Sequence, residues 1–441
     1  MAASLHDSRL HVASAVISSR PKQNWVLYAY LFLLPLQNLQ TGYMPKPAAG
    51  LNFLNIGFCF ALVGAWACKG RVAAGALQRW ILAYVVYACL SLYIGYQHVS
   101  GDTAEHLSVL KDAMLAVTLV FVAQMSVTDW TTLRRLIFVM LLPLPYMLRV
   151  TWDQHASVSS WHYKDALRIS GTFSELGANE FAAFCVIMSI VIFALLLAGG
   201  MSWRWRALLL GAIACMLLGV VWTYSRTAYI ALMVGLPVVV LLWRGRWKMA
   251  VPLFIAALVA PNLMPVSVVE RFNSTTLEEG KRDESTENRF EFWRIAWDNF
   301  EKYPLFGSGY HTFHHAEINP HQTDTHNFFM RELTEKGLIG AGITLGMLLS
   351  ILGTCWRTMT RVSSGLGHAL GLGMVGAWLA LMIENFFGDR FTYYPMIGYF
   401  WVFLGLTLKA RELHDSEQAG AAAPEAPPRP QYAVPLSARG G

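Results

Sequence analysis

The sequence predicts an all-α polytopic membrane protein with about twelve transmembrane helices and one large loop on the outward side. Three observations predict it. The 441 residues are 55% hydrophobic and only 14% charged, with a mean hydropathy of +0.40, a composition too apolar for a soluble enzyme. Apolar stretches recur at the roughly 17–25 residues that a span needs. Basic residues collect in every second short connection, as they do where positive charge is retained on the cytoplasmic side.

Spans are expected near 25–42, 52–68, 79–97, 107–127, 133–150, 178–200, 205–223, 226–243, 248–265, 327–356, 368–387 and 392–409. The fourth carries Lys111 and Asp112. The tenth is long enough to begin as an amphipathic lead-in helix before a break at Gly337–Leu338–Ile339–Gly340. Lys69, Arg71 and Arg79 follow the second span, Arg134 and Arg135 the fourth, Arg204 and Arg206 the sixth, Arg244, Arg246 and Lys248 the eighth, and Arg357 and Arg361 the tenth. The odd-numbered connections carry few positives, which puts both termini in the cytoplasm.

The chain then divides into a cytoplasmic N-terminal segment (1–24), nine spans (25–265), an outer loop with amphipathic helix (266–326), three further spans (327–409) and a tail (410–441). No apolar region followed by a cleavage site precedes Lys22, so no removable signal peptide is expected. The tail, rich in Ala, Pro and Gly, reads as disordered from about Arg411. Cys59, Cys68, Cys89, Cys185, Cys215 and Cys355 all fall in apolar stretches without CxxC spacing, and read as small core hydrophobes. The net charge of +6 reflects topology, and no nucleic-acid partner is expected. Gly342/Gly346 and Gly367/Gly371 have the spacing of close helix packing.

Two stretches interrupt the spans on the outer side, Thr151 to Gly177 and Val266 to Thr325. The second contains a candidate amphipathic helix, about Thr286 to Lys302, with Phe290, Trp293, Trp297 and Phe300 at helical spacing. Such a face belongs in the membrane interface or against the bundle. Pro304 and Gly307–Ser308–Gly309 end it.

Three residues in these regions could carry chemistry. Arg226, in Tyr224–Ser225–Arg226–Thr227–Ala228, sits at the outer mouth between two spans. A charge deep in a bilayer costs about 2.5–3.5 kcal/mol on insertion scales, so Arg226 either snorkels to headgroups or binds an anion, for which its forked donors suit phosphate. Arg289 precedes Trp293 by one helical turn and is a solvated charge or a cation held at headgroup depth. His326, where the loop re-enters the membrane, has the reference pKa near 6.5 of a general base for a hydroxyl; a structural imidazole is the alternative. His311, His314, His315, His321 and His326 with Asp324 could bind a transition metal, but their spacing fits no tight metal motif, and no metal site is assigned. Glu384, Asp389 and Arg390 form a further polar knot, functional or purely paired. Lys164 and Arg168 could widen an anion-binding surface.

With these residues in place, the chain resembles the O-antigen ligase and polymerase superfamily of bacterial envelope enzymes. The resemblance rests on Ser225–Arg226–Thr227–Ala228, Arg289-x-x-x-Trp293, Pro304–Leu305–Phe306–Gly307–Ser308–Gly309, His326–Asn327 and Glu335–Lys336–Gly337–Leu338–Ile339–Gly340, with Gly171–Thr172–Phe173 and Asn179 and Phe181 upstream. It implies a GT-C-like glycosyltransferase of the bacterial inner membrane, without metal or nucleotide cofactor. Such an enzyme takes a glycan from undecaprenyl diphosphate on the periplasmic face. In the ligase branch, which the motif order resembles best, the acceptor is lipid A–core. His326 would then take the proton of the acceptor hydroxyl, Arg226 and Arg289 would hold the departing diphosphate, and Arg168, Trp293 and Asn327 would contact substrate. Repeat-unit polymerases and protein O-oligosaccharyltransferases share these features. A lipid-linked glycan flippase, from another class, could also present twelve helices and arginines. It would be expected to show internal repeats and a midplane site, whereas here the polar residues gather at the outer rim.

Overall fold

In a computed structural model, the structure describes residues 22–44, 52–100, 103–158, 160, 162–245, 248, 266–273, 284–363 and 365–422. The expected N-terminal segment up to residue 21, all but Lys248 of the ninth span at 248–265, residues 274–283 of the outer loop, and the tail beyond 422 lie outside them. The described residues are helical, with no strand. In order they form α1 (Trp25–Leu33), α2 (Gln37–Tyr43), α3 (Phe53–Ala67), α4 (Ala76–Gly95), α5 (Thr103–Ser126), α6 (Trp130–Leu141), α7 (Leu144–Val158), α8 (Ala178–Leu196), α9 (Trp203–Trp222) and α10 (Arg226–Leu242). Beyond these come α11 (Val266–Asn273), α12 (Glu284–Lys302), α13 (Phe328–Arg361), α14 (Gly365–Phe386) and α15 (Tyr394–Ala422). Seven stretches among the described residues are long and apolar enough to cross a bilayer: α4, α5, α6–α7 together, α8, α9, α13 and α14. The molecule is a polytopic helical membrane protein.

Local chemistry explains the helix starts. Asn24, Asn52 and Asp129 each turn a side-chain oxygen onto the first free N–H groups of α1, α3 and α6, which otherwise have no partner. The first expected span, 25–42, is in fact two helices. Pro35 has no N–H to give the carbonyl of Leu31, and that carbonyl instead accepts the Tyr399 hydroxyl at 2.6 Å. The Gln40 amide donates to the carbonyls of Leu33 and Leu34 at 2.8 and 3.2 Å, so the break leaves no cost in unpaired backbone there. The fifth span divides likewise at Pro143 and runs on to Val158, so the first outer stretch starts later than Thr151.

Packing places α8 and α14 at the centre. Within their apolar windows 78% and 67% of residues are buried, against 28% for α9, whose Trp203 and Leu210 are exposed on a face suited to lipid. Gly371 and Gly346 sit where a Cβ would meet Met359 and Trp80, as expected of small residues at helix contacts; Gly342 faces open space.

The tail is a second correction. α15 continues to Ala422, past the Arg411 where disorder was expected. Asp415 accepts from Arg361 at 2.8 Å and Glu417 from the Trp130 indole at 2.8 Å, tying the extension to α13 and α6 while good helix formers fill it.

Inside α13 lies the break expected from the glycines. Gly337 adopts φ 62° and ψ −170°, and the turn Pro304–Gly309 inserts there. Ser308 and Gly309 N–H donate to the carbonyls of Thr334 and Glu335 at 3.0 and 2.8 Å, while Leu338 and Ile339 N–H donate to Pro304 and Leu305 at 2.9 and 3.2 Å. The Tyr87 hydroxyl takes the carbonyl of Lys336 at 2.8 Å. Every backbone group freed by the kink named here finds a partner, as apolar surroundings require.

Candidate functional site

The chain's own hydrogen bonds gather one end of the bundle into a site. At the start of α8, Asn179 accepts from Arg168 at 2.6 Å and from the Ser225 hydroxyl at 3.2 Å, which brings the first outer stretch and the start of α10 together. Arg390, just beyond α14, pairs with Glu180 at 2.5 Å and approaches Glu384 at 3.7 Å. The N–H of Phe328, opening α13, donates to Gly388 at 2.9 Å. Asp389 pairs with Arg331 and accepts from the Thr392 hydroxyl. The polar knot at 384–390 thus buckles α8, α13, α14 and α15 together.

These groups enclose a cavity of about 480 Å³ lined in part by Arg168, Glu180, Asp324, His326, Arg390 and Tyr393. Its floor includes Gly177, Ala178 and Asn179, the N-terminus of a 19-residue helix with no side-chain cap. A helix end of this kind presents free N–H groups and partial positive charge. Four carboxylates also line the cavity, from Asp165, Glu180, Asp324 and Asp389, but Glu180 and Asp389 are committed to Arg390 and Arg331.

His326 enters this cavity on a left-handed backbone, φ 50°, a conformation held against its intrinsic preference by what surrounds it. Thr325 is locked on one side: its hydroxyl donates to the Asn327 carbonyl at 2.9 Å and its own carbonyl receives the Trp293 indole N–H at 3.0 Å. On the other side the Asn327 side chain caps α13, accepting from Phe329 and Met330 N–H at 3.0 and 3.1 Å. Desolvation by the surrounding groups pushes the His326 imidazole below its ordinary pKa; Asp324 opposes this, and the positive charges of Arg289 and Arg390 add to it. His326 is therefore neutral, and able to accept a proton, at neutral pH. Replacing Arg289 by Gln should raise the His326 pKa, and Asp324→Asn should lower it further, both read from the imidazole carbon resonance in a pH titration.

The sequence-designated residues are distributed as follows. His326 and Arg168 line the cavity. Arg289, half-buried on α12, acts on His326 through its charge. Arg226, half-buried at the start of α10, adjoins Ser225 and through it Asn179. Neither arginine is in the cavity wall. Trp293 holds the backbone ahead of His326 and packs its ring on Phe290 and Phe386. Asn327 is 3% exposed, and its oxygen serves the helix cap. On α12 the aromatic stripe is not the packed face: Phe292, Ala296 and Asn299 are buried, while Phe290 and Trp297 stay 47% exposed, free for the membrane interface.

In the histidine-rich segment His311, His314 and His315 gather with His106, neighbouring ring centroids lying 4.6–6.3 Å apart. His315 meets His106 at 2.6 Å and His311 lies 3.6 Å from Glu105, while His321 contacts Glu291 at 3.0 Å. Among the described residues no three His, Cys, Asp or Glu side chains are placed to hold a metal ion. Burial drives His311 down to about 2 and lowers His314 as well, so both are neutral. Glu335 accepts the N–H groups of His311 and Phe313 at 2.9 and 3.3 Å, which fixes this segment over α13. Glu180, Arg331 and Tyr393 escaped the sequence reading. Glu180 looks there like any acid in a first helical turn, and its pairing with Arg390 spans 210 positions.

The fold and this cavity define a polytopic membrane protein with an ionisable pocket at one end of its helices. Residues 211–345 match the family model described as O-antigen ligase, so this stretch of the chain is similar to that family. The match spans Arg226, Arg289, Trp293, His326 and Asn327; Arg168, Glu180 and Arg390 lie outside it. No curated protein matches the chain.

Proposed function

We propose that this protein is a glycosyltransferase of the O-antigen ligase branch, moving a glycan from undecaprenyl diphosphate to a sugar hydroxyl of lipid A–core on the periplasmic face of the bacterial inner membrane. The observation that carries the reading is that His326, an exposed imidazole held neutral, shares one cavity with Arg168, Arg390 and the uncapped start of α8. The acceptor hydroxyl gives its proton to His326 as its oxygen attacks the anomeric carbon. The bond from that carbon to the diphosphate breaks, and the diphosphate leaves with the electron pair and the added negative charge. One displacement inverts the anomeric centre. Arg168 and the helix end stabilise the leaving group, with Arg226 and Arg289 flanking it as the lipid carrier approaches. No metal is needed in this scheme. Both termini face the cytoplasm.

The test is transfer in liposomes between a purified undecaprenyl-diphosphate glycan and lipid A–core, with EDTA present. Ligated lipid A–core supports the reading; a lengthened lipid-linked glycan instead makes the protein a polymerase. Arg226→Ala and Arg289→Ala should each raise the donor KM roughly tenfold to a hundredfold, the worth of a hydrogen bond to a charged group. Unchanged donor KM in both would remove them from the donor site.

A further inference from the structure

Beside the His326 cavity lies a second one, about 260 Å³, on the same end of the bundle. The two share Leu176 and Tyr393 in their walls, so they adjoin across these two side chains. Its lining differs in chemistry. It offers the side chains of Gln37, Asn52, Asp112, Glu175, Tyr393 and Tyr394; among the described residues no arginine, lysine or histidine lines the wall, although Lys111 pairs with Asp112 at 3.3 Å, whereas its neighbour has two arginines and His326.

These groups are held as a set by the fold. The Gln37 oxygen accepts the Glu175 N–H at 3.2 Å, which leaves its amide N–H₂ to donate. The Asn52 amide donates to the Tyr394 hydroxyl at 3.2 Å while its oxygen caps α3. The carbonyl of Thr172 accepts from Asn38 at 3.0 Å, and the Thr172 hydroxyl donates to Pro35 at 2.7 Å, locking α2 to the segment that carries Glu175. Burial keeps the Tyr393 hydroxyl protonated, its pKa raised to about 12, and its ring is 40% exposed.

An array of carboxylate acceptors, amide donors and an exposed phenol ring, with no cation among the described wall residues, suits a polyol with one apolar face better than a phosphate. The volume lies just below the roughly 300–1,000 Å³ of drug-sized sites, which suits one sugar unit better than a chain. Resting on the transferase reading above, we infer that this cavity is a subsite for an uncharged hexose unit belonging to one of the two glycan substrates, with Glu175, Asp112 and Gln37 as its polar contacts. The sugar sits in this cavity while the reacting bond lies across Tyr393 beside His326.

The experiment uses the full-length protein in nanodiscs, with methyl β-glucopyranoside as probe in saturation-transfer NMR. The exposed Glu175→Ala and the conservative Asp112→Asn variants are compared with wild type and with His326→Ala. Saturation in wild type and His326→Ala, and its loss in the two pocket variants, supports the subsite. No saturation in wild type, or equal saturation in the pocket variants, overturns it. In the transfer assay the pocket variants should raise one KM roughly tenfold: the acceptor's if the sugar is the acceptor's, the donor's if it is the donor's. A change in neither also overturns the proposal. If wild type transfers nothing yet saturation depends on Glu175, the transferase reading fails and the sugar site stands.

Discussion

Replacing His326 by alanine should lower glycan transfer by about 10²–10⁴-fold, the usual contribution of a positioned general base, with the protein still inserted and its thermal unfolding little changed. The side chain projects into a cavity, and the surrounding fold does not depend on it. Its neighbours Thr325 and Asn327 are held by Trp293 and by the helix cap, so the backbone at this position survives the loss. The wild-type pH profile supplies an independent check. A base works only when unprotonated, so transfer should fall as pH drops through the His326 pKa. Desolvation by its neighbours and the charges of Arg289 and Arg390 depress that value, so the acid limb should lie below the ordinary imidazole range near 6.5. Full activity in His326→Ala, or an acid limb unmoved by that substitution, would place the base elsewhere.

The second large effect concerns folding. Gly337→Ala should destabilise the protein severely, seen as a lower unfolding temperature in detergent and poor recovery of folded material. At φ 62° and ψ −170° a side chain is strained by about 1–3 kcal/mol on backbone grounds alone. A Cβ there would also lie 2.4 Å from the carbonyl carbon and oxygen of Leu305, so the inserted turn must move and surrender its hydrogen bonds. Gly342→Ala, five positions further along the same helix, is the control: nothing lies within 4 Å of its added Cβ, and alanine there should be neutral or stabilising by about 0.5–1 kcal/mol. Equal stability of both variants would contradict the packing described.

What could be read from the sequence follows from the range of the interactions concerned. Span positions are local, set by apolar length, and most of the helices fall where expected. The Gly337 break and the lead-in helix before it were also legible, because glycine and proline act on their own backbone. His326 stood out through its place between a loop and a span. Harder to read were features made by distant partners. Pro35 gives notice of a break, but Tyr399, which makes the break tolerable, is 368 positions away. The aromatic period of α12 left open which way the stripe faces, because helical spacing alone does not distinguish a stripe facing lipid from one facing protein. Arg390 read as one member of a knot with Glu384 and Asp389, and Glu180 drew no notice; their meeting across the bundle is what the sequence hides. The carboxylates lining the cavity wall, which temper its positive character, belong to the same category.

The turn inserted at Gly337 also bears on how large substrates come and go. It grips α13 about ten residues below its first turn, or roughly 15 Å along a helix, and the segment bearing the histidines hangs from that point. Peeling this segment away as a lid would strip several backbone groups of their partners where no water can replace them, at several kcal/mol apiece. The arm is therefore moored and does not swing like a flap. Traffic must pass through a port of fixed outline, and any gate has to be built from the less firmly moored parts of the rim.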